Sequence, residues 1–363
     1  MKKLFFPAVV IAAITLASCA KQDVLDEHSS RFVKPILFDA FVGKSMGVNT
    51  KASILKLDGQ NSLQVNGFIV QAYNTDNLSW NSFTPTVVAT FMKDQVVTCD
   101  IVPSPPIWEY IPIKYWPADN GKVTFFAYGA SGASSSVPNG LSAFTGGTSQ
   151  GVAPKFDFTV NNAVASQVDL VADALFDRAS NINGGKVNLV FDHILAKVAF
   201  SAKMAQNYTG ATVIVKDMQL GFSATAIQTN GKFAFDGTGT TLGAWTLGIT
   251  PKTYIPTDYQ DLYTGSGVTL GTAAKEINDA DKYLMVLPEQ TIATNALTVK
   301  LQYTIQTGAE TVTYNVVKPL PAVTLAMGKQ YTFNFTFTLT EVGFAGITVS
   351  AWSDGTTPND TGI

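Results

Sequence analysis

Cysteine and histidine are almost missing from this chain, which has two of each in 363 residues. Cys19 ends an N-terminal leader, so Cys99 is the one remaining thiol and no internal disulfide can form. The scarce His and Cys give no zinc spacing. A Ser-His-Asp arrangement could draw only on His193, and no Gly-x-Ser-x-Gly elbow accompanies it. His193 closes the strand-like run Phe191-Asp192-His193 and reads as a structural hydrogen-bonding residue, while His28 falls in a polar stretch. Gly184-Gly185-Lys186 lacks the upstream glycine and the following Ser or Thr of a phosphate loop. No cofactor or metal is therefore assigned, and the chain does not read as an enzyme. A carboxylate pair assembled in space is the catalytic arrangement that sequence alone leaves open.

Charge is also sparse, at 14% of residues with a net of −3. Removing Lys2 and Lys3 from the 24 basic residues leaves 22 against 27 acidic, a net of −5. That balance offers no basic stripe to nucleic acid. Long helix-forming runs are lacking too; residues 273–280 are the only short helical candidate. Beyond the leader, no apolar stretch reaches the roughly 20 residues that a membrane helix needs.

The leader itself is clearly marked. Met1-Lys2-Lys3 is a positive n-region and residues 4–16 are an apolar run too short to span a bilayer. Leu16-Ala17-Ser18-Cys19 then has the pattern of a lipoprotein cleavage site, so residues 1–18 read as a signal peptide and Cys19 as the lipidated residue. Its acyl chains, at about 0.8 kcal/mol per buried methylene, would hold the chain on a membrane. Residues 19–35 read as a polar tether.

Thr, Val, Phe, Tyr and Gly are abundant in the rest of the chain, a β composition. Ile36, Phe38, Ala40 and Val42 alternate onto one face of a first strand, with Leu37, Asp39 and Phe41 on the other. A second strand is expected over 63–73, a hairpin from 86–91 and 96–101, and a strong strand over 123–128. Tyr331, Phe333, Phe335 and Phe337 alternate with Thr and Asn, the mark of a sheet with one buried and one wet face. Ile347 to Trp352 reads as the last strand. Many short strands without a βαβ rhythm predict an all-β chain of tandem β-sandwiches. The boundary is placed in the Asn181-Ile182-Asn183-Gly184-Gly185 segment, giving domains of 36–183 and 184–363.

Several stretches together resemble the fimbrillin family, the subunits of type V pili. They are Lys114-Tyr115-Trp116-Pro117, residues 123–128, Asp169 to Ala174, and Val187 to Val198 with Asp192-His193 and Ala196-Lys197 inside it. Residues 283–290, Gly328-Lys329-Gln330-Tyr331 and the closing Ile347 to Trp352 complete the set. Lys21-Gln22-Asp23 with Asp26-Glu27 is similar to the acidic signal that sends such lipoproteins to the outer face.

The resemblance implies two transthyretin-like β-sandwich domains, outer-membrane anchoring through the N-terminal lipid, and assembly with other pilin subunits by strand exchange. A trypsin-like protease would cut between the first strand and the next, here the turn around Thr50-Lys51-Ala52, so that Lys51 and Ala52 flank the preferred cut. Lys44 and Arg31 are alternatives, and a plain solvated loop lysine is the other reading of Lys51. The displaced strand would be the one carrying Ile36, Phe38, Ala40 and Val42. Burying three large side chains at roughly 1.5–3 kcal/mol each makes it worth about 5–9 kcal/mol as an upper value. A domain stable by roughly 5–15 kcal/mol would be marginal without it.

After Trp352 only eleven polar residues follow. Two readings stand: Ile347, Val349 and Ala351 form a donor strand, or the chain is a tip or accessory subunit that donates none. A host or bacterial surface ligand would suit a tip. A different class of function, a surface glycan-binding lipoprotein that needs no cleavage, would require two or three of Trp80, Trp108, Trp116, Trp245 and Trp352 exposed on one platform.

Overall fold

A computed structural model describes residues 34–42, 63–103, 105–130, 140–142, 144–223, 227–248, 259–279 and 282–352. The leader, Cys19, Arg31, Lys44, Lys51 and Ala52 lie outside these residues.

The first half runs β1 (Leu37–Val42), β2 (Phe68–Asp76), β3 (Met92–Asp100), β4 (Ile107–Glu109), β5 (Lys122–Ala130), β6 (Lys155–Thr159), β7 (Leu170–Arg178) and β8 (Lys186–His193). The second half continues with β9 (Ala196–Met204), β10 (Ala211–Phe222), β11 (Asn230–Phe235), β12 (Gly243–Leu247), β13 (Gln260–Thr269), β14 (Lys275–Glu276), β15 (Leu284–Val286) and β16 (Gln290–Ile292). β17 (Leu297–Thr307), β18 (Glu310–Pro319), β19 (Val323–Leu325), β20 (Lys329–Phe337) and β21 (Val342–Ala351) complete it. The chain is all-β in several sheets.

A seven-stranded sheet has the order β1-β8-β7-β5-β2-β3-β4. In the second half, β14-β9-β20-β21 packs against β13-β10-β17-β18 around the aromatic row of β20, which alternates as the sequence predicts. The third sheet, β12-β11-β6, mixes the two halves. Phe156 of β6 pairs with Phe233 of β11, and these rings cover the second face of the seven-stranded sheet at Phe126 and Tyr128. The first face, with Val123, Phe125 and Ala127, packs on β1. Period-two alternation along β5 thus serves two cores at once, which is why nearly every residue of that strand is buried.

Several local expectations change. The sheets divide the chain between His193 and Ala196, because β8 stays in the first sheet; Asn183–Gly185 is only the turn joining β7 to β8. Residues 273–279 form no helix: Lys275–Glu276 pairs with Ser201 and Ala202, and Ile277 is buried with its N–H on the Phe200 carbonyl. Edge pairing and one buried side chain outweigh the Ala propensity there. The second strand starts at Phe68 after a one-turn helix, α1 (Leu63–Asn66). Gly67 closes that helix with φ +71°, and a Cβ there would meet the Val97 carbonyl at 2.5 Å. β3 pairs with β2 rather than with residues 86–91.

Candidate functional site: the first strand and its surroundings

Strand β1 lies parallel to β8 over six register pairs, from Leu37 opposite Lys186 to Val42 opposite Phe191. The inward row is buried as the alternation requires: Ile36 is 0%, Phe38 2%, Ala40 3% and Val42 3% exposed. Phe38 meets Phe68, Phe125 and Tyr110 edge-on at 5.4–6.0 Å, a favoured aromatic geometry. Residues just outside the strand hold its start. Ile36 donates its N–H to the Lys114 carbonyl (2.8 Å), Trp116 donates to the Lys34 carbonyl (2.9 Å), and the Tyr110 hydroxyl donates to the Ile36 carbonyl (2.9 Å). Burial raises the Tyr110 pKa, so that hydroxyl keeps its proton. The tether therefore joins the fold by Lys34, one residue before its expected end. An exposed ion pair, Lys186 Nζ to Asp39 Oδ2 at 2.9 Å, adds little.

The seam on the other side of β8 is thin. Among the described residues, only Val171–His193 and Ala172–Asp192 pair across β7 and β8. Beyond them the Asp173 carboxylate stands in for the ladder, accepting the Val190 N–H at 2.7 Å and the Ala174 N–H at 2.8 Å. Burial pushes the Asp173 pKa up to about 6, against the pull of those two hydrogen bonds.

The last strand is differently held. Ile347, Val349 and Ala351 lie opposite Phe333, Tyr331 and Lys329 in an antiparallel pair, yet most of β21 is exposed. Its end is buried. Trp352 lies parallel to the His193 ring at 4.2 Å, and its backbone N–H donates to the Gly328 carbonyl at 2.8 Å. His193 Nδ1 is 2.9 Å from Asp169 Oδ2 with both side chains wholly buried, and Lys197 Nζ sits 5.5 Å from the Trp352 ring. His193 is thus part of a packed junction between β8, β9 and the end of β21, in keeping with its structural reading.

All five tryptophans are buried, so none supplies the exposed platform that a glycan-binding surface of tryptophans requires. Cys99 is half-buried, on β3 opposite Trp108, and burial raises its pKa.

Residues 75–352 match the family model described as Fimbrillin-like. This chain belongs to the fimbrillin-like family. Fimbrium subunit Fim1C of Phocaeicola vulgatus is 27% identical to it over 236 residues, which cover 63% of this chain and 59% of that protein. The match thus spans little more than half the length of this relative. A fimbrial protein of Bacteroides vulgatus has a similar fold, with a TM-score of 0.63 at 22% identity, over 88% of this chain and all of that one.

In this fimbrillin-like chain, sequence reading found β1 and its inward row. It missed the roles of Asp173 and Tyr110 and the tie between Asp169, His193 and Trp352. Asp173 carried a signal, a carboxylate inside the apolar run Leu170-Val171-Ala172-Asp173-Ala174-Leu175. The other two had none, because each joins residues far apart in the chain.

Proposed function

We propose that the chain is a structural or tip/accessory subunit of a surface pilus that contributes to adhesion. It is exported as a lipoprotein through Cys19, reaches the outer membrane, and assembles with other subunits after proteolysis at Lys51 releases the first strand. The observation that carries this reading is β1 itself. It is a terminal strand of its sheet whose inward row, with Ile36 just before it, fills a core, and it is joined to β8 by parallel pairing and one exposed ion pair. Such a strand is separable in a way that a central strand is not, and its loss leaves an open ladder ready for β-augmentation. Membership of a family described as fimbrillin-like supports the same reading.

The test is limited digestion of the chain lacking residues 1–19 with a Lys/Arg-specific protease, followed by mass spectrometry and unboiled gel electrophoresis. One early cut after Lys51, release of the β1 segment and a ladder of multimers are expected for a shaft subunit. The same cut without a ladder assigns a tip or accessory role. Resistance of residues 43–62 to the protease, or a trimmed monomer that takes up no strand, defeats the proposal.

A further inference from the structure

β1 and β4 are the two ends of the seven-stranded order, so among the described residues each has an edge with no partner strand in that sheet. The start of β1 is tied to residues 114–116. Past that tie, a groove of about 400 Å³ opens between residues 37–41 of β1 and residues 105–108 leading into β4. Exposed apolar side chains line it, with Leu37 at 44% and Ile107 at 49%. Gln64 and the Asp39–Lys186 ion pair line it too and give it a polar side. Pro105 and Pro106 have no N–H to donate, so this stretch cannot complete a ladder with β1 by itself. A cavity of about 150 Å³ takes up benzene, so this groove has room for roughly two apolar side chains. Free strand edges on both sides and an apolar floor suit an extended strand above other ligands.

We propose that this groove is the entry port for the replacing strand. The occupant is the last strand of a second copy, which binds here while β1 is still in place, so exchange passes through a state that holds both strands. β21 fits because its ten residues include no charge and no proline, and Ile347, Val349 and Ala351 alternate with Thr348 and Ser350. Its outer edge is terminal in its own sheet among the described residues, which leaves main-chain groups to pair. Departure of β1 before a new strand arrives would expose Phe68, Phe125 and Phe191 to water together, an outcome that entry through the port avoids. The inference rests on the pilus reading and adds its route.

The experiment uses a fluorescent peptide of residues 342–352 and the chain in two forms, uncut and cut at Lys51. The uncut chain is expected to bind the peptide saturably by fluorescence anisotropy, with at least fivefold weaker binding in I107R or P106R. In the cut chain, release of the β1 segment should quicken in proportion to peptide over a hundredfold range. I107R should slow it at least tenfold at equal peptide. Val317→Arg, on the exposed face of β18, should behave as the parent, and all three variants should keep their Tm within about 2 °C, as surface substitutions do. Release at a rate independent of peptide, or equal rates in I107R, P106R and the parent, overturns the port while leaving strand exchange intact. No release at any peptide concentration defeats the pilus reading, and the port with it.

Discussion

At the scale of single residues, Asp173 is the most informative. Its carboxylate holds the part of β8 that the β7 ladder does not reach, yet burial raises its pKa from 3.8 to about 6. The folded chain therefore binds that proton more tightly than the unfolded chain does. Its stabilising effect is complete below about pH 3.8 and is lost as pH rises through about 6. The shift of about two pKa units corresponds to roughly 3 kcal/mol, a ceiling because the side chain is only half-buried. An amide keeps an oxygen for the Val190 N–H, loses the acceptor of the Ala174 N–H and cannot ionise. The stability of Asp173→Asn relative to the parent should therefore fall by up to about 2 kcal/mol between pH 7.5 and pH 4.5. Urea denaturation at the two pH values measures it, and a relative stability that stays constant or rises toward acid would show the sign to be wrong. Placing an ionised group at this seam makes the hold on β8, and through it on β1, weaker at neutral pH than in acid.

At the scale of elements, β1 and β21 differ in how they are held. β1 is anchored along its length by an inward row, whereas β21 buries Val342 at its start and is followed by the buried Trp352, with a largely exposed stretch between. Truncating a buried Trp costs about 3–5 kcal/mol, and here the loss falls where β9, β8 and β21 meet. In Trp352→Ala, amide exchange over residues 342–351 should quicken at least tenfold while residues 37–42 keep their protection, read by hydrogen-exchange mass spectrometry. Unchanged exchange in β21 would mean that the ladder to β20 alone holds it. The contrast also marks what the sequence made legible. β8 and β20 declare themselves because one row of each is apolar and the other mostly polar, and β1 because its inward row is wholly apolar. Lys155-Phe156-Asp157-Phe158-Thr159 alternates as well, but five residues beside a Gly- and Ser-rich stretch give a weak signal, and its partner Phe233 is 77 residues away from Phe156. Residues 273–280 misled in the opposite direction, since Ala and Lys propensity says nothing about a vacant edge at Ser201. The groove beside β1 was not legible at all, because it is made by the separation of two strands rather than by any run of residues.

At the scale of the whole molecule, the three cores divide the labour. The core beneath β1 is built from the seven-stranded sheet, α1 and the side chains of Tyr110 and Trp116, and the inward row of β1 lies in that core alone. The middle core joins the halves: Phe156 and Phe158 from β6 pack with Phe233, Phe235 and Trp245, and the Trp245 indole donates to the Ile194 carbonyl at 2.6 Å. The seven-stranded sheet cannot bury its second face without residues 230–247, and β11 cannot complete its own sheet without β6. From Lys34 onward the chain is accordingly one compact unit. Cooperativity should follow the shared core rather than the sequence boundary at 183/184. Calorimetry should give one transition with equal calorimetric and van't Hoff enthalpies. Residues 184–363 expressed alone keep β8 but lack β6 and the strands that β8 joins, and should show no cooperative melt. Phe156→Ala should lower the single midpoint by a loss of about 3–5 kcal/mol without splitting it, because Phe156 sits in one half and its partner in the other. Two resolved transitions, or a folded 184–363 fragment, would mean that the halves are independent and that the middle core is a contact surface. Because β1 enters the core of the first face and not the middle core, substitutions in its inward row should lower the single midpoint without reaching the packing that joins the halves.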